Sequence, residues 1–425
     1  ANRANPLPHL YRLESTNPCG EQWLGPYENC CLGSVNLAKH FGPDRSVDWE
    51  QLQKTVEIAT IFLDNVVEAN AYVPAVPQIK AAAQHSRRIG LGIMGLADLL
   101  YHVQIRYGSQ EGQEFAAQVM EFIRYHAMLT STELARKRGS FPSIKGSIYD
   151  PAALQWEPPQ PLFNYEHDFN RPEINWDVVR KNIKQFGIRN AAQTTVAPTG
   201  TIATVAGCEG YGCEPVFALA YIRHVNDDGN DVPLNYVSPQ FKKALGKDNI
   251  DPETQQQIID QVLESGTCQH VEGLPNWMKD TFVVSADILS EEHIRMQASL
   301  QAFVDNSLSK TINFPAAATP EDVAKVYMLA WELGCKGTTV YVTGSRETVV
   351  LETKDTAKSK FKQDSDVNFE FGSETREDGK QLPIWQETKK PRPSFLKGYT
   401  YSVETPLGKA FVTVNENGGD QPFEV

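Results

Sequence analysis

The alternation of helical segments with short strand-like runs is the feature that most constrains the fold of this chain. The runs 308–314 and 337–342 are rich in Thr, Val and Ile, which favours strands. Because helices and strands alternate, we expect an α/β fold with a mostly parallel sheet wrapped by helices, open or closed into a barrel. Apolar residues at helical spacing predict helices over 48–70, 109–138, 176–186, 253–263, 290–306 and 319–333.

The composition of the chain changes after about Glu352. Residues 353–392 are dense in charged residues, Gln and Ser, which suits a solvated linker. Beyond it, apolar and polar residues alternate on both sides of a break at 406–408, as in the first hairpin of a small module. We expect a main domain over 1–350, a polar linker over 351–395 and the truncated start of a C-terminal module over 396–425.

The charge of the chain restricts its partners. The 53 acidic and 40 basic residues give a net charge of −13. Such a chain repels nucleic acid and anionic lipid, so we expect neither as a partner. It has no apolar run of membrane-spanning length and no signal-peptide pattern, which predicts a cytoplasmic protein. The sequence begins without Met, and its last residues carry no helix or turn signal that would end an element. We therefore expect part of a longer chain.

The segment 17–22 carries the first candidate chemistry. Pro18 and Gly20 make a helix improbable, so the segment should be extended or a loop. In an extended chain alternate residues face the same way, which would present Asn17, Cys19 and Glu21 to one space. A nearby carboxylate raises the pKa of a thiol and disfavours thiolate catalysis. Homolytic chemistry needs no thiolate, and the carboxylate could then act as a base for a substrate hydroxyl.

Two further segments add to this pattern. Cys30 and Cys31 follow closely; a lone cysteine is more often a packing residue, but the neighbouring motif favours a chemical role. The β-branched run at 194–197 leads into a Pro-Thr-Gly-Thr turn at 198–201, whose backbone amides could bind phosphate at a helix N-terminus. The alternative is a plain strand-to-helix turn. The seven cysteines form no CxxC motif, so neither a zinc ribbon nor a thioredoxin-type dithiol is predicted. We assign no metal-binding residues.

Together these motifs resemble the catalytic subunit of ribonucleotide reductases, and specifically the adenosylcobalamin-dependent class. The resemblance implies the second half of a ten-stranded α/β barrel around a central finger loop, incomplete at the N-terminus because the first half-barrel precedes these residues in the family. Glycines at 90, 92 and 95 also mimic a dinucleotide-binding fingerprint, but no clean strand precedes them. Further matches lie at 87–99, 187–191, 214–217, 309–313 and 336–341.

The resemblance also implies a role for each site residue. Cys19 would become the transient thiyl radical that removes the 3′ hydrogen of the ribose, and Glu21 would take the 3′ hydroxyl proton. Asn17 would hydrogen-bond the substrate hydroxyls. Cys30 would be one of two cysteines that reduce the sugar, with its partner in the preceding half. The residues that match the substrate-phosphate loop are Thr199, Gly200, Thr201, Ile202 and Ala203.

The implied activity is reduction of ribonucleotides, as diphosphates, to 2′-deoxyribonucleotides, with adenosylcobalamin as cofactor. The implied partners are thioredoxin or a similar dithiol, the N-terminal portion of the same enzyme, and a second copy in a homodimer. Metal-dependent relatives usually carry two adjacent tyrosines where this chain has Val340-Tyr341, which favours cobalamin. The alternatives are the large subunit of a metal-cofactor class, or a fragment inactive without its N-terminal part.

Two departures from the family pattern concern cysteines. Cys31 stands where the family usually has Asn, giving a vicinal pair with Cys30 that could compete for oxidation. Cys208 and Cys213 replace a stretch that is commonly rich in Ser and Gly. They could be a metal half-site, a disulfide or unrelated thiols, and we favour unrelated thiols.

Overall fold

The computed structural model describes residues 2–227, 230–247, 250–345, 351–352, 397–405, 408–416 and 422–424. The chain divides into two compact units, Ala1–Phe361 and Lys362–Val425. Among the described helices, none combines the length and the apolar character that crossing a membrane requires.

Helices and strands alternate through the first unit. The helices are α1 (Trp49–Ala69), α2 (Pro77–Ser86), α3 (Leu96–Val103), α4 (Gln110–Arg138), α5 (Trp176–Phe186), α6 (Gly200–Val205), α7 (Pro239–Lys247), α8 (Pro252–Ser265), α9 (Asn276–Thr281), α10 (Ser290–Gln301) and α11 (Pro320–Glu332). The strands are β1 (Ser15–Thr16), β2 (Trp23–Leu24), β3 (Leu32–Asn36), β4 (Gly90–Met94), β5 (Ala220–Asp227), β6 (Asn230–Val237), β7 (Thr311–Phe314), β8 (Thr339–Val342) and β9 (Leu351–Glu352).

A row of parallel strand segments forms the centre of this unit and follows the order of the chain. β3 pairs with β4 from Leu32↔Gly90 onward, and β7 pairs with β8. Between these pairs, parallel bridges join Leu91 to Thr194 and Val196 to Leu308. The mostly parallel α/β architecture is therefore confirmed. Among the described strands nothing joins β8 back to β3, so the row is an open arc and the predicted ten-stranded barrel is not closed.

The predicted helices form where their capping residues stand. The Asp48 side chain accepts a hydrogen bond from the Gln51 amide at the start of α1, and Ser109 caps α4 in the same way. α4 ends at Gly139, as expected. The predicted helix over 290–306 instead ends at Gln301. The reason is that Asp305 turns toward the sheet, where its carboxylate accepts from the amides of residues 193 and 194 at 2.8 and 2.7 Å.

A buried carboxylate ties the helices to the parallel row. Asp64 of α1 is fully buried and accepts two hydrogen bonds from the Arg87 guanidinium, at 3.0 and 2.8 Å. Arg138 at the end of α4 and the amide of Asn190 bond to the same carboxylate, at 3.2 and 3.1 Å. A buried charge is stable only when it is paired and hydrogen-bonded, so this cluster sets the position of α1 against the end of α4.

The predicted domain boundaries can be compared with the structure only where strands are described, at β9 and in the second unit. β9, at the start of the predicted linker, pairs with β5 of the first unit. The rest of the predicted linker lies outside the described residues. In the second unit, β10 (Lys397–Thr405) pairs antiparallel with β11 (Gly408–Glu416), and β11 pairs with β12 (Pro422–Glu424). The first of these pairs lies where the sequence predicted a hairpin.

Candidate active site

The segment that carries Cys19 is a tight hairpin loop. β1 and β2 pair antiparallel, and the Gly20 amide donates to the Asn17 carbonyl at 3.1 Å. Pro18 occupies the second position of this turn, and Gly20 has a φ of +82°, which glycine tolerates best. The prediction of a non-helical loop is confirmed, but the extended alternative is wrong. We call residues 15–24 the finger loop.

The turn changes the position predicted for Asn17. Its side-chain oxygen accepts from the Gln22 amide at 3.1 Å and so holds the two sides of the loop together. Asn17, Cys19 and Glu21 therefore do not project from one extended strand. Cys19 is exposed at the tip, whereas Glu21 is buried with 3% of its surface exposed.

The finger loop rests on the parallel row. The Glu21 carbonyl accepts from the Thr195 hydroxyl at 2.6 Å and from the Ser307 amide at 3.1 Å. A Cβ on Gly90 would lie 2.5 Å from Nε2 of Gln22, so a larger residue would force the neighbouring side chains to shift. Since Gly90 lies inside β4 rather than at a strand-to-helix turn, the dinucleotide fingerprint is also excluded.

Glu21 influences the thiols on both sides of it. Partial burial and the Glu21 carboxylate raise the pKa of Cys19. Burial, with Glu21 as the next cause, raises the pKa of Cys30 to about 11. Both thiols therefore stay protonated near neutral pH. Oε2 of Glu21 is buried and has no hydrogen-bond partner among the described residues, so it is free to accept one from a ligand.

Cys30 and Cys31 lie in different surroundings. Cys30 is half-buried and within electrostatic reach of Glu21, Glu28 and Arg88, beside the finger loop. The Sγ of Cys31 donates to the Leu63 carbonyl of α1 at 3.6 Å and packs against the hydrophobic core. The two thiols therefore have different partners, although Cys31 lies near enough to contribute to the raised pKa of Cys30.

The predicted phosphate loop lies at the carboxyl ends of the parallel strands. Thr199 caps α6 with a φ of +56°, and its hydroxyl accepts from the Gly212 amide at 2.7 Å. The Asn36 side chain at the end of β3 donates to the Ala206 carbonyl at 3.3 Å. Ligands of parallel α/β sheets bind at this edge. The described contacts do not join residues 199–203 directly to Cys19; they share the strand segment whose Thr195 holds Glu21.

A buried ion pair beneath the finger loop was not predicted. The Glu28 carboxylate lies 3.1 Å from the Arg88 guanidinium and accepts from the Tyr11 hydroxyl at 2.5 Å. Arg88 also donates to the Asn306 side chain at 2.9 Å. Arg88 lies in the matched segment 87–99, whereas Glu28 precedes the Cys30-Cys31 pair, and only the fold shows that these two parts of the chain meet.

A second ion pair joins two other matched motifs. The Lys310 ammonium is buried and contacts the Glu214 carboxylate. Nδ1 of His293 lies 2.9 Å from the same ammonium. Burial and the Lys310 charge lower the pKa of His293 to about 2, so the ring is neutral. The amide of Thr311 donates to the other oxygen of Glu214 at 2.6 Å. This cluster fixes the start of β7 beside the loop that follows α6.

Cys208 and Cys213 occupy separate environments. The Cys208 thiol donates to the Asn36 side chain at 3.2 Å, and the Cys213 thiol is fully buried near the Ser309 carbonyl at 3.8 Å. Burial raises the pKa of both thiols to about 12. Both are free, which supports unrelated thiols. Within the described residues, no group of His, Cys, Asp and Glu could hold a metal ion.

Comparison with known protein families identifies the family of this chain. The family model described as the barrel domain of ribonucleotide reductase matches residues 1–341. The chain belongs to the ribonucleotide reductase family. The resemblance read from the finger-loop and phosphate-loop motifs is thus confirmed.

Curated relatives are similar over most of this chain. A vitamin B12-dependent ribonucleoside-diphosphate reductase of Thermoplasma acidophilum is 39% identical over 366 residues, which covers 86% of this chain and 42% of the relative. A Mycobacterium tuberculosis reductase of the same name is 37% identical over 350 residues, covering 82% and 43%. The ribonucleoside-diphosphate reductase subunit alpha of Chlamydia trachomatis is 32% identical over 351 residues, covering 80% and 32%. The chain spans less than half of the length of these relatives.

A solved structure is similar in fold. The class Id ribonucleotide reductase alpha subunit of Actinobacillus ureae superposes with a TM-score of 0.59 at 22% identity, covering 81% of this chain and 56% of that subunit. At this identity the likeness shows the fold alone, and it supports the open parallel arc as part of the reductase barrel domain.

Proposed function

We propose that this chain is the portion of an adenosylcobalamin-dependent ribonucleotide reductase that carries the thiyl radical. The observation that carries the proposal is the finger loop, which places a protonated, exposed thiol at Cys19 beside a buried carboxylate at Glu21 with an unpartnered oxygen. Hydrogen-atom transfer needs a thiol rather than a thiolate, and the raised pKa of Cys19 keeps it protonated.

Each side chain of the finger loop has a part in the proposed reaction. The Cys19 thiyl radical removes the 3′ hydrogen atom of the ribose. Oε2 of Glu21 takes the 3′ hydroxyl proton, for which its free lone pairs are suited. Because the Asn17 oxygen is engaged with the Gln22 amide, its amide nitrogen is the group left to donate to a substrate hydroxyl. Residues 199–203 seat the substrate phosphates through the amides at the start of α6.

Cys30 is the proposed reductant on this chain. It shares the electrostatic field of Glu21 with Cys19, which supports a position near the same substrate. A second cysteine from the preceding half would complete the pair that ends as a disulfide. Thioredoxin or a similar dithiol would then restore it, so the proposed partners include both this reductant and the N-terminal portion of the enzyme.

The arc of parallel segments supports the proposed barrel. The row from β3 to β8 would be half of a ten-stranded barrel, completed by the N-terminal portion, with the finger loop at its centre. Closure would cover Cys19 and exclude water from the radical. A diphosphate substrate, a homodimer and a cytoplasmic location are parts of the same proposal.

The cobalamin class is supported by the surroundings of Cys19 and by the relatives. When bound, adenosylcobalamin supplies the initiating radical at the site of use. The exposed tip of the finger loop leaves the Cys19 thiol accessible to such a group. Val340 stands where a paired tyrosine relay would require its first tyrosine. The Thermoplasma and Mycobacterium relatives are named as B12-dependent. The Chlamydia relative is named as a subunit alpha, which keeps a class with a separate radical-generating subunit as the second candidate.

The test is turnover of the full-length enzyme that contains this chain, with a ribonucleoside diphosphate and a dithiol reductant. The proposal predicts deoxyribonucleotide formation with adenosylcobalamin and no second protein. Activity that needs a separate radical-generating subunit, and that does not respond to adenosylcobalamin, would overturn the cobalamin class in favour of the second candidate.

A further inference from the structure

A cavity of about 680 Å³ lies where the loop before α1, the end of α3 and the helix α7 meet. The charged residues that line it are Arg45, Lys243 and Lys247, and all of them are cationic. This is unexpected in a chain with 53 acidic and 40 basic residues. None of the finger-loop or phosphate-loop residues lines this cavity, so it is separate from the proposed active site.

Among the residues that the structure describes, the cations of the cavity have no acidic partner. Arg45, Lys243 and Lys247 are exposed, and the ion pairs of the described residues include none of them. Both lysines and Lys39 act on the half-buried ring of His102, so these three positive charges lie near the same ring. Like charges held together raise the energy of the empty site, and a multivalent anion would relieve this repulsion.

An aromatic surface stands beside these cations. The rings of Phe41 and His102 are stacked, with centroids 3.6 Å apart and an angle of 16° between the planes. Burial, followed by the neighbouring lysine charges, lowers the pKa of His102 to about 4, so the stack is uncharged near neutral pH. Phe41 keeps 39% of its surface exposed at the cavity wall, which Trp277 also lines. A flat ring could stack against this wall.

We propose that this cavity binds a small ligand with two or more phosphate groups. The phosphates would lie among Arg45, Lys243 and Lys247, where guanidinium and ammonium groups donate charge-assisted hydrogen bonds. A base or other flat ring on the ligand would lie against Phe41. Tripolyphosphate and ATP share the required phosphate chemistry and differ in the ring, so comparing them identifies the source of the affinity.

Calorimetric titration of the 425-residue chain with tripolyphosphate and with ATP tests this proposal. We expect both probes to bind, and Lys243→Gln to weaken binding about tenfold through the loss of one charge-assisted contact. Lys242→Gln is the matched control, because Lys242 is an exposed neighbour on α7 that does not line the cavity. The Lys242→Gln variant should bind both probes with the same affinity as the unchanged chain.

The remaining outcomes are equally decisive. Tighter binding of ATP than of tripolyphosphate, abolished by Phe41→Ala, would support a nucleotide; equal binding would support an inorganic polyphosphate. Failure of both probes to bind would overturn the proposal. Binding that is unchanged in Lys243→Gln would place the anion elsewhere, for example at residues 199–203, and would overturn it as well. Thermal melts of each variant show whether it remains folded.

Discussion

At the tip of the finger loop, burial and one carboxylate together keep two thiols protonated. Burial, and after it the Glu21 charge, raises the pKa of both Cys19 and Cys30, although Cys19 is exposed and Cys30 is half-buried. The sequence could predict the effect on Cys19, because the two residues are neighbours. It could not predict the inward turn of the Asn17 side chain, since this depends on the hairpin that closes over Gln22.

The two adjacent cysteines should respond differently to substitution. Cys30→Ser in the full-length enzyme should permit at most stoichiometric product, because the dithiol that resupplies electrons is lost. Cys31→Ser is the matched control and should keep multiple turnovers, because the Cys31 thiol faces the Leu63 carbonyl of α1. Product per enzyme, measured with thioredoxin as reductant, checks this. Equal loss in both variants would contradict the different roles assigned to the two thiols.

At the scale of elements, local signals predicted the helices and missed the contacts between motifs. α5 spans Trp176–Phe186 as predicted, and Thr319 caps α11 through a reciprocal bond with Asp322. α2 and α3 were missed. The pairing of Glu28 with Arg88 was also missed, because the two residues lie 60 positions apart and no local pattern encodes their meeting.

The fit of the finger loop on β4 can be tested by adding one methyl group. Gly90→Ala would bring a Cβ to 2.5 Å from Nε2 of Gln22 and 2.7 Å from the Thr195 side chain. We expect the free energy of unfolding to fall by about 1–3 kcal/mol, as for other overpacked sites. Gly337→Ala is the control, since its Cβ would meet no atom within 4 Å. Urea unfolding that gives equal stabilities for the two variants would refute the close contact.

The ion pair between Glu28 and Arg88 should affect how the free energy of unfolding changes at acidic pH. Burial alone would raise the pKa of Glu28, but the Arg88 charge and the bonds from Tyr11 and Gly25 outweigh it and lower the pKa below the usual 4.5. A carboxyl with a lowered pKa stabilises the fold above 4.5, and this stability is lost as the pH falls through the folded-state pKa.

We therefore expect Glu28→Gln to lose about 3–5 kcal/mol at neutral pH, because Arg88 is left as an unpaired buried charge. Below pH 4.5 the stability of the unchanged chain should fall more steeply with acidification than that of the variant. Urea unfolding across this range measures both slopes. Glu50→Gln, which removes an exposed carboxylate paired with Lys54, is the control and should change little. Parallel slopes for Glu28→Gln and the unchanged chain would contradict the lowered pKa.

At the scale of the whole molecule, the parallel arc supports the finger loop that would carry the proposed reaction. The strands place the Glu21 carbonyl between Thr195 and Ser307, and the next residues along the Thr195 strand lead into the proposed phosphate loop. The sequence predicted the α/β class from its periodicity. Periodicity alone could not predict the open edge of the arc, because closure of a barrel depends on strand number and stagger, which local patterns do not encode.

The most direct test of the central claim is product formation by Cys19→Ser in the full-length enzyme, with substrate binding measured in parallel. Cys19 lies at the exposed tip of the loop, so the substitution should leave the fold and the substrate affinity unchanged. We predict that deoxyribonucleotide formation falls to background, because an alcohol does not replace a thiol in hydrogen-atom transfer. Retained turnover in the folded, substrate-binding variant would contradict the assignment of the radical to this residue.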